Sequence, residues 1–553
     1  MTALRTRREP PAGPAPRPAV RGPAGLAGTG RLTVLALRRD RLFLVIWLYL
    51  IVGGLASTTY SFRHLYITGA QRASLALSIR NNPSFLALSG PVYGNSLGSL
   101  IIWKAGLFCA VGAALLGIFA VVRHTRGDEE AGRLELLGAT VVGRYAATAA
   151  SVAETFGACV LIGLLIAVVQ VLFGLPAAGS LALGAAVALT GWMFAAVAAV
   201  CAQLTESART ARGLAIAVLG LAYLLRAVGD PAASLHWLSW LSPLGWVERI
   251  QPYAGARWWL AGLCAVVSVA LAGLAALLAG RRDLGEGWLP GRPGRAHGPV
   301  WLRSPLALAW RLQRGGLLGW ALGFAVSALV LGAAAKDIGS SFNSSPQARD
   351  VILRMGGQAG LVDAYLTIEL GLFGVVAAAY GVATAVRLRS EETEQRAEPV
   401  LAGPVSRIRW AVAEVVLAAG GIVLLLAVAG LATGLAYGLS TGDVSGQLGR
   451  LLGAALVQVP AAWTVTGLTV ALFGLAPRLT IPAGWTLFGV AALLTLLGPS
   501  LRLPQWALDF TPFAHVPKLP GGDFTAVPLL WLTVVAVALT GAGLAAFRRR
   551  DLA

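Results

Sequence analysis

The chain has 553 residues, 57% of them apolar and only 12% charged, with mean hydropathy +0.72. Soluble chains carry about 25% charge, so this composition excludes a string of soluble domains and predicts an all-α polytopic membrane protein. The net charge of +19 comes almost wholly from arginines at the ends of apolar segments, where orientation in a bilayer accounts for them and a nucleic-acid partner is not called for.

Residues 1–30, rich in Pro, Ala, Gly and Arg and lacking an apolar core, read as a disordered cytoplasmic tail. A helix crosses a hydrocarbon core about 30 Å thick with roughly 20 apolar residues. On that template six spans fall at about 42–62, 99–122, 146–175, 180–204, 212–228 and 258–280, in a first half running 31–284. Six more fall at about 316–335, 367–386, 410–438, 451–476, 480–499 and 526–547, in a second half running 306–553. A Gly-, Pro- and Arg-rich cytoplasmic linker, 285–305, joins the halves. Most Lys and Arg lie on one side of this arrangement, which places both termini in the cytoplasm of a cell-membrane protein.

The halves repeat one another. Leu35-Ala36-Leu37-Arg38, before the first span, is echoed by Leu308-Ala309-Trp310-Arg311, and both stretches read as amphipathic elbows on the inner surface. After the second span, Arg126, Glu129, Arg133, Glu135, Ala139, Val142 and Arg144 recur without a gap as Arg389, Glu392, Arg396, Glu398, Ala402, Val405 and Arg407. Ser242-Pro243-Leu244 is echoed by Thr511-Pro512-Phe513, and Arg281-Arg282-Asp283-Leu284 by Arg549-Arg550-Asp551-Leu552. Four anchors in one order predict two six-helix halves in parallel orientation about a pseudo-twofold axis along the membrane normal.

The repeated loop carries the strongest functional signal. Glu129 and Arg133 are four residues apart, as are Glu392 and Arg396, so each pair is expected to meet on one face of a short helix. Such a helix, with Glu130 and Glu391 beside it, offers a charged surface to a cytoplasmic partner. The alternative is an ordinary solvated loop, although orientation alone requires arginines and no acids.

These residues, in 123–137, 241–259 and 391–405, resemble permeases of type-2 ATP-binding-cassette (ABC) exporters, and most closely the double-length actinobacterial exporters of polyketide antibiotics. The resemblance extends over about 30–553. It implies a coupling helix in each half seated in a separate ATPase subunit. Arg126, Glu129, Glu130, Arg133 and Glu135 would face one copy, and Arg389, Glu391, Glu392, Arg396 and Glu398 the other. The second loop departs from the first, with Glu394-Gln395 for Ala131-Gly132 and Pro399 for Leu136.

No catalytic residue, metal site or cofactor is assigned to this chain. A phosphate loop needs Gly-x-x-x-x-Gly-Lys-Ser/Thr, and the lysines Lys104, Lys336 and Lys518 are followed by Ala105, Asp337 and Leu519. ATP and Mg therefore belong to the partner. The cysteines, Cys109, Cys159, Cys201 and Cys264, lie in apolar runs and suggest no disulfide. Gly94-Asn95-Ser96-Leu97-Gly98 matches the hydrolase elbow in letters but lies in an outer loop before a span.

Ionisable residues within spans are the remaining candidates. Lys104 and Glu369 occupy equivalent places in the second and eighth spans, where they could pair across a pathway or reach water separately. Glu154 and Glu414, in the third and ninth, could bind a cationic substrate or pair with arginines such as Arg144 and Arg407. Trp240, Pro243 and Trp246, with Pro512 and Phe513 in the second half, mark short outer helices. They read either as an exit cap, which the resemblance implies, or as interfacial anchors. The expected function is ATP-driven export of a hydrophobic or amphipathic small molecule through a lipid bilayer. The alternatives are a proton-driven multidrug transporter and an ABC lipid or glycan exporter.

Overall fold

A computed structural model describes residues 23–80, 83–231, 233–289, 302–341, 360–498 and 504–551, with His297 and Pro299. The expected tail up to residue 22, and linker residues 290–296, 298, 300 and 301, lie outside the described residues. Among the described residues there is no β-strand, and twelve helices are long and apolar enough to cross a bilayer. The chain is a multi-pass, all-α membrane protein. The helices are α1 (Thr29–Leu65), α2 (Leu97–Glu130), α3 (Ala146–Leu172), α4 (Ala177–Leu204), α5 (Ala208–Gly229) and α6 (Trp258–Ala279). They continue as α7 (Pro305–Ala335), α8 (Leu361–Thr393), α9 (Arg407–Thr441), α10 (Val444–Leu475), α11 (Pro477–Leu496) and α12 (Ala526–Arg549).

Every expected span is present, and two local expectations are corrected. The amphipathic stretches before the first and seventh spans are not separate elbows. They are the opening turns of α1 and α7, which run on without a break. No Gly-Pro break interrupts either stretch, and an unbroken helix keeps its backbone polar groups paired as it enters lipid. Conversely, α10 is interrupted at Val457 and Gln458, just before Pro460, whose nitrogen cannot donate to the preceding turn.

Two compact units are formed, one by residues up to Tyr60 with Lys104–Arg226 and Trp237–Arg292, the other by Ser61–Trp103, Ala227–His236 and Pro293–Ala553. Each has the same internal plan. In the first, α4 is central and packs on α2, α3 and α6, while α1 lies along α3. In the second, α10 packs on α8, α9 and α12, while α7 lies along α9. The peripheral α12 presents Val527, Leu530, Trp531, Val534 and Val537 outward, a face suited to lipid.

Inside each unit the helices touch through small residues and buried polar bonds, because lipid tails give apolar helix faces no net drive to associate. A Cβ added to Gly163 of α3 would lie 2.5 Å from the Gly184 carbonyl oxygen of α4, so the two backbones meet at glycine. Thr59 of α1 donates to Gln170 Oε1 of α3 at 2.9 Å, both residues fully buried.

Candidate functional site

The repeated loop forms a hairpin at the basic end of α2 and again at the end of α8. The last turns of α2 are π-helical over Arg123–Gly127, and α2 stops at Glu130. Gly132 then takes a left-handed conformation (φ 68°), and a second short helix spans Arg133–Gly138. In the second unit α8 ends at Thr393, Gln395 takes the same conformation (φ 57°), and the short helix is Glu398–Leu401 with a proline in its first turn. The break therefore recurs at aligned positions, although only one of them is glycine.

This break overturns the expected four-residue pairs. Glu129 and Arg133 lie on opposite sides of it, as do Glu392 and Arg396, and neither pair is a helical neighbour. Arg133 instead pairs with Asp128 at 2.6 Å, and Arg396 with Glu394.

Glu129 turns inward. Its carboxylate receives both terminal nitrogens of Arg282 (2.7 and 2.8 Å) and the amide of Gly285 (2.6 Å), and Arg126 lies 3.1 Å away. Arg126 is 1% exposed and donates to the carbonyls of Ala202 (3.1 Å) and Glu286 (2.6 Å). Arg282 also donates to Gln203 Oε1 at 2.7 Å, so the end of α2 is fastened to α4 and to the segment after α6.

The second unit repeats the lock. Glu392 receives both terminal nitrogens of Arg550 (2.6 and 2.8 Å), with Arg389 at 3.1 Å. Arg550 lies over the rings of Phe473 and Phe547 at 4.9 and 5.1 Å. Even the next interaction matches: Arg144 donates to the Arg282 carbonyl (3.0 Å) and Arg407 to the Arg550 carbonyl (2.9 Å).

What remains on the surface is the hairpin tip. Arg133, Glu135, Leu136 and Val141 are exposed in the first unit, and Glu394, Arg396, Glu398 and Pro399 in the second. Glu130 is exposed, though one carboxylate oxygen accepts the amide of Ala208 at the start of α5 (2.8 Å). Glu391 is half-buried and pairs with Arg387 at 2.9 Å.

Of the charges inside spans, Lys104 is exposed within the π-helical turn Ile102–Gly106. Glu369 is buried and accepts from Thr433 at 2.9 Å. The expected arginine partners of Glu154 and Glu414 are corrected. Arg144 and Arg407 are engaged by backbone carbonyls, whereas Glu154 lies 3.5 Å from His124 Nε2 and Glu414 accepts from Gln313 at 2.5 Å.

The Trp- and Pro-rich segments expected on the outer side also share a local device. Ser242 caps the helix Pro243–Glu248 by accepting from the Gly245 amide, and Thr511 caps Pro512–His515 by accepting from the Phe513 amide. A hydroxyl at the cap followed by proline is a favoured helix start, since proline lacks the hydrogen that would be unpaired there. The Trp246 indole donates to the Trp240 carbonyl at 2.6 Å, Arg249 lies over the Trp240 ring at 5.0 Å, and Phe513 is buried.

The sequence reading missed Arg282 and Arg550 as site residues, although their recurrence within matching Arg-Arg-Asp-Leu stops was the available signal. It also gave no place to Asp40, which stands in a row of arginines, or to His124 beside Arg123; the two are buried and meet at 2.8 Å between Oδ2 and Nε2.

Two comparisons with known proteins bear on these features. The family described as "Multidrug efflux system permease Rv1217c, C-terminal domain" matches residues 302–548. The chain is also 45% identical, over 531 residues and 96% of each sequence, to the multidrug efflux system permease protein Rv1217c of Mycobacterium tuberculosis.

Proposed function

The chain belongs to the Rv1217c family of multidrug efflux system permeases, and from that premise we propose that it is the membrane-spanning subunit of an ATP-driven exporter in the cell membrane. Its cargo on this reading is a hydrophobic or amphipathic compound such as an antibiotic. ATP and Mg are bound by two copies of a separate ABC ATPase, one seated on each hairpin, and both termini lie on the same, cytoplasmic side. The observation that carries the reading is the repeated hairpin. Each has an exposed tip of alternating acids and arginines, while a buried Arg-Glu-Arg lock fixes its base to the ends of other helices in the same unit. A tip held this way passes a push to the bundle instead of bending under it.

The roles of the candidate residues divide accordingly. Arg133, Glu135, Arg396 and Glu398 meet the partner. Arg126, Glu129, Arg389 and Glu392 set the angle at which the hairpin is presented, Glu130 tethers α5, and Glu391 steadies the end of α8. The test is co-purification of the chain with its cognate ATPase, followed by drug accumulation in inverted vesicles. Uptake that needs ATP and both proteins, and survives collapse of the proton gradient, supports the reading. Uptake by the chain alone, abolished by an uncoupler, overturns it.

The proton-driven alternative is favoured by one observation, the buried carboxylates of Glu154, Glu369 and Glu414. The same vesicle experiment separates the two. An ABC lipid or glycan exporter would share the energising scheme and differ only in the compound that accumulates.

A further inference from the structure

We propose that Asp40, His124 and Glu154 form a binding site for a single divalent transition-metal ion, of which Zn2+ is the representative, joining the basic ends of α1, α2 and α3. Each helix supplies one ligand. His124 Nε2 is 2.8 Å from Asp40 Oδ2 and 3.5 Å from Glu154 Oε2, and the three ligand atoms all lie within 4.8 Å of one another. Nitrogen and oxygen ligands sit about 2.0–2.2 Å from zinc, so such a group closes on an ion with only small side-chain movement. The side chains are buried, with exposures of 0% for Asp40, 5% for His124 and 0% for Glu154.

Hydrogen bonding within the cluster is out of balance, which points to a cation. One imidazole nitrogen faces two carboxylates, yet it carries at most one proton. Asp40 Oδ1 is held by Arg123 at 2.8 Å, while both Glu154 oxygens lack a hydrogen-bond partner among the described residues. Buried carboxylates are normally satisfied by hydrogen bonds, paired charges or metals. An ion between Asp40 Oδ2, His124 Nε2 and Glu154 supplies what is missing.

The surroundings match those of metal-binding imidazoles, whose second nitrogen usually faces a carboxylate that orients the ring. His124 Nδ1 lies 3.7 Å from Asp128 Oδ2, and Asp128 is fixed by Arg39 (2.8 and 3.1 Å) and Arg133 (2.6 Å). A cavity of about 250 Å³, lined by Arg39, His124, Asp128, Arg133, Ala150 and Ser151 among others, borders the imidazole beside Asp128. One imidazole and two carboxylates suit a first-row ion better than Mg2+, and zinc is bound more tightly than manganese by such donors.

The second unit predicts the stoichiometry. Aligned through the repeats, Gln313 stands where Asp40 does and Arg387 where His124 does, with Glu414 accepting from Gln313 at 2.5 Å. A guanidinium cannot ligate a metal, so the chain holds one ion and not two.

The test reads metal binding and requires no ATPase, so its result is independent of the transport reading. Full-length protein in nanodiscs is stripped with EDTA and titrated with ZnCl2 against a chromogenic chelator. Bound metal is counted by mass spectrometry, and the zinc shell is examined by X-ray absorption. One zinc per chain, with a single imidazole and the remaining donors oxygen, is expected. His124→Gln and Glu154→Gln should each weaken binding at least tenfold, Asp128→Asn by about tenfold, and Gln313→Ala not at all. No stoichiometric zinc at micromolar free metal overturns the proposal. So does undiminished binding by a folded Glu154→Gln protein. Should the variants fail to fold, the wild-type spectrum decides alone, and a shell with no imidazole or with several overturns it.

Discussion

Glu129 and Arg282, separated by 153 residues, meet in a two-pronged ion pair at 2.7 and 2.8 Å, and Glu392 and Arg550, separated by 158, repeat it at 2.6 and 2.8 Å. Both carboxylates are largely hidden from water, with side-chain exposures of 5% and 2%. Removing Arg282 leaves the buried Glu129 carboxylate with only Arg126 at 3.1 Å and the Gly285 amide, a loss of up to about 3 kcal/mol. Arg282→Ala should therefore lower the thermal unfolding midpoint clearly, and Arg282→Lys nearly as much, since an ammonium cannot reproduce the fork. Combining Arg282→Ala with Glu129→Gln should destabilise by much less than the sum of the two. Strict additivity in thermal unfolding would show that the two side chains do not act as a pair.

The left-handed residue between the two short helices gives a contrast between units. Gly132 adopts φ 68° freely, whereas Gln395 holds φ 57° against the crowding of its own Cβ. Gly132→Ala should destabilise by about 1 kcal/mol. Gln395→Gly should be neutral or slightly stabilising, because relief of strain offsets the greater freedom of the unfolded chain. The same thermal assay checks both, and equal losses at the two positions would contradict the conformational argument.

On the proposed ATP-driven reading, docking of the ATPase should depend on the exposed tips alone. Glu135→Lys with Leu136→Asp in the first unit, and Glu398→Lys in the second, should leave the unfolding midpoint within a degree or two of wild type. Each set should weaken association with the cognate ATPase by at least tenfold, measured by biolayer interferometry on nanodisc-embedded protein. Unchanged affinity in the combined variant would remove the hairpins from the interface.

The contact between α3 and α4 admits no side chain at Gly163, where even a methyl group would meet the Gly184 carbonyl. Gly163→Ala should destabilise by about 1–3 kcal/mol and Gly163→Leu by more. Gly157, also on α3 but with open space around its Cβ position, should accept alanine without loss. Thermal unfolding of the three variants side by side makes the comparison.

Much of the architecture could be read from the residues because a bilayer imposes one dominant rule, about 20 apolar residues per crossing. That rule located all the spans, even Gly-rich ones such as α5. It says nothing about where a helix pauses, so Glu129 and Arg133 were placed on a single face. Gly132 hinted at the break, but Gln395 gave no sign of it, since glutamine is an ordinary helix residue. The partners of Glu129 and Glu392 were hidden for another reason. Ion pairs spanning 153 and 158 residues arise only when α6 and α12 return to the ends of α2 and α8. The repeat of the Arg-Arg-Asp-Leu stops was visible, yet it read as topology and not as chemistry.

Gln313 and Arg387 stand in the second unit where Asp40 and His124 stand in the first, so the two sides of one chain are not chemically equal. In an exporter assembled from two identical polypeptides, every inherited change strikes both sides at once, so neither can specialise. Two copies carried in one polypeptide are free to differ: one side has a permanent guanidinium at Arg387, where the other has the imidazole of His124.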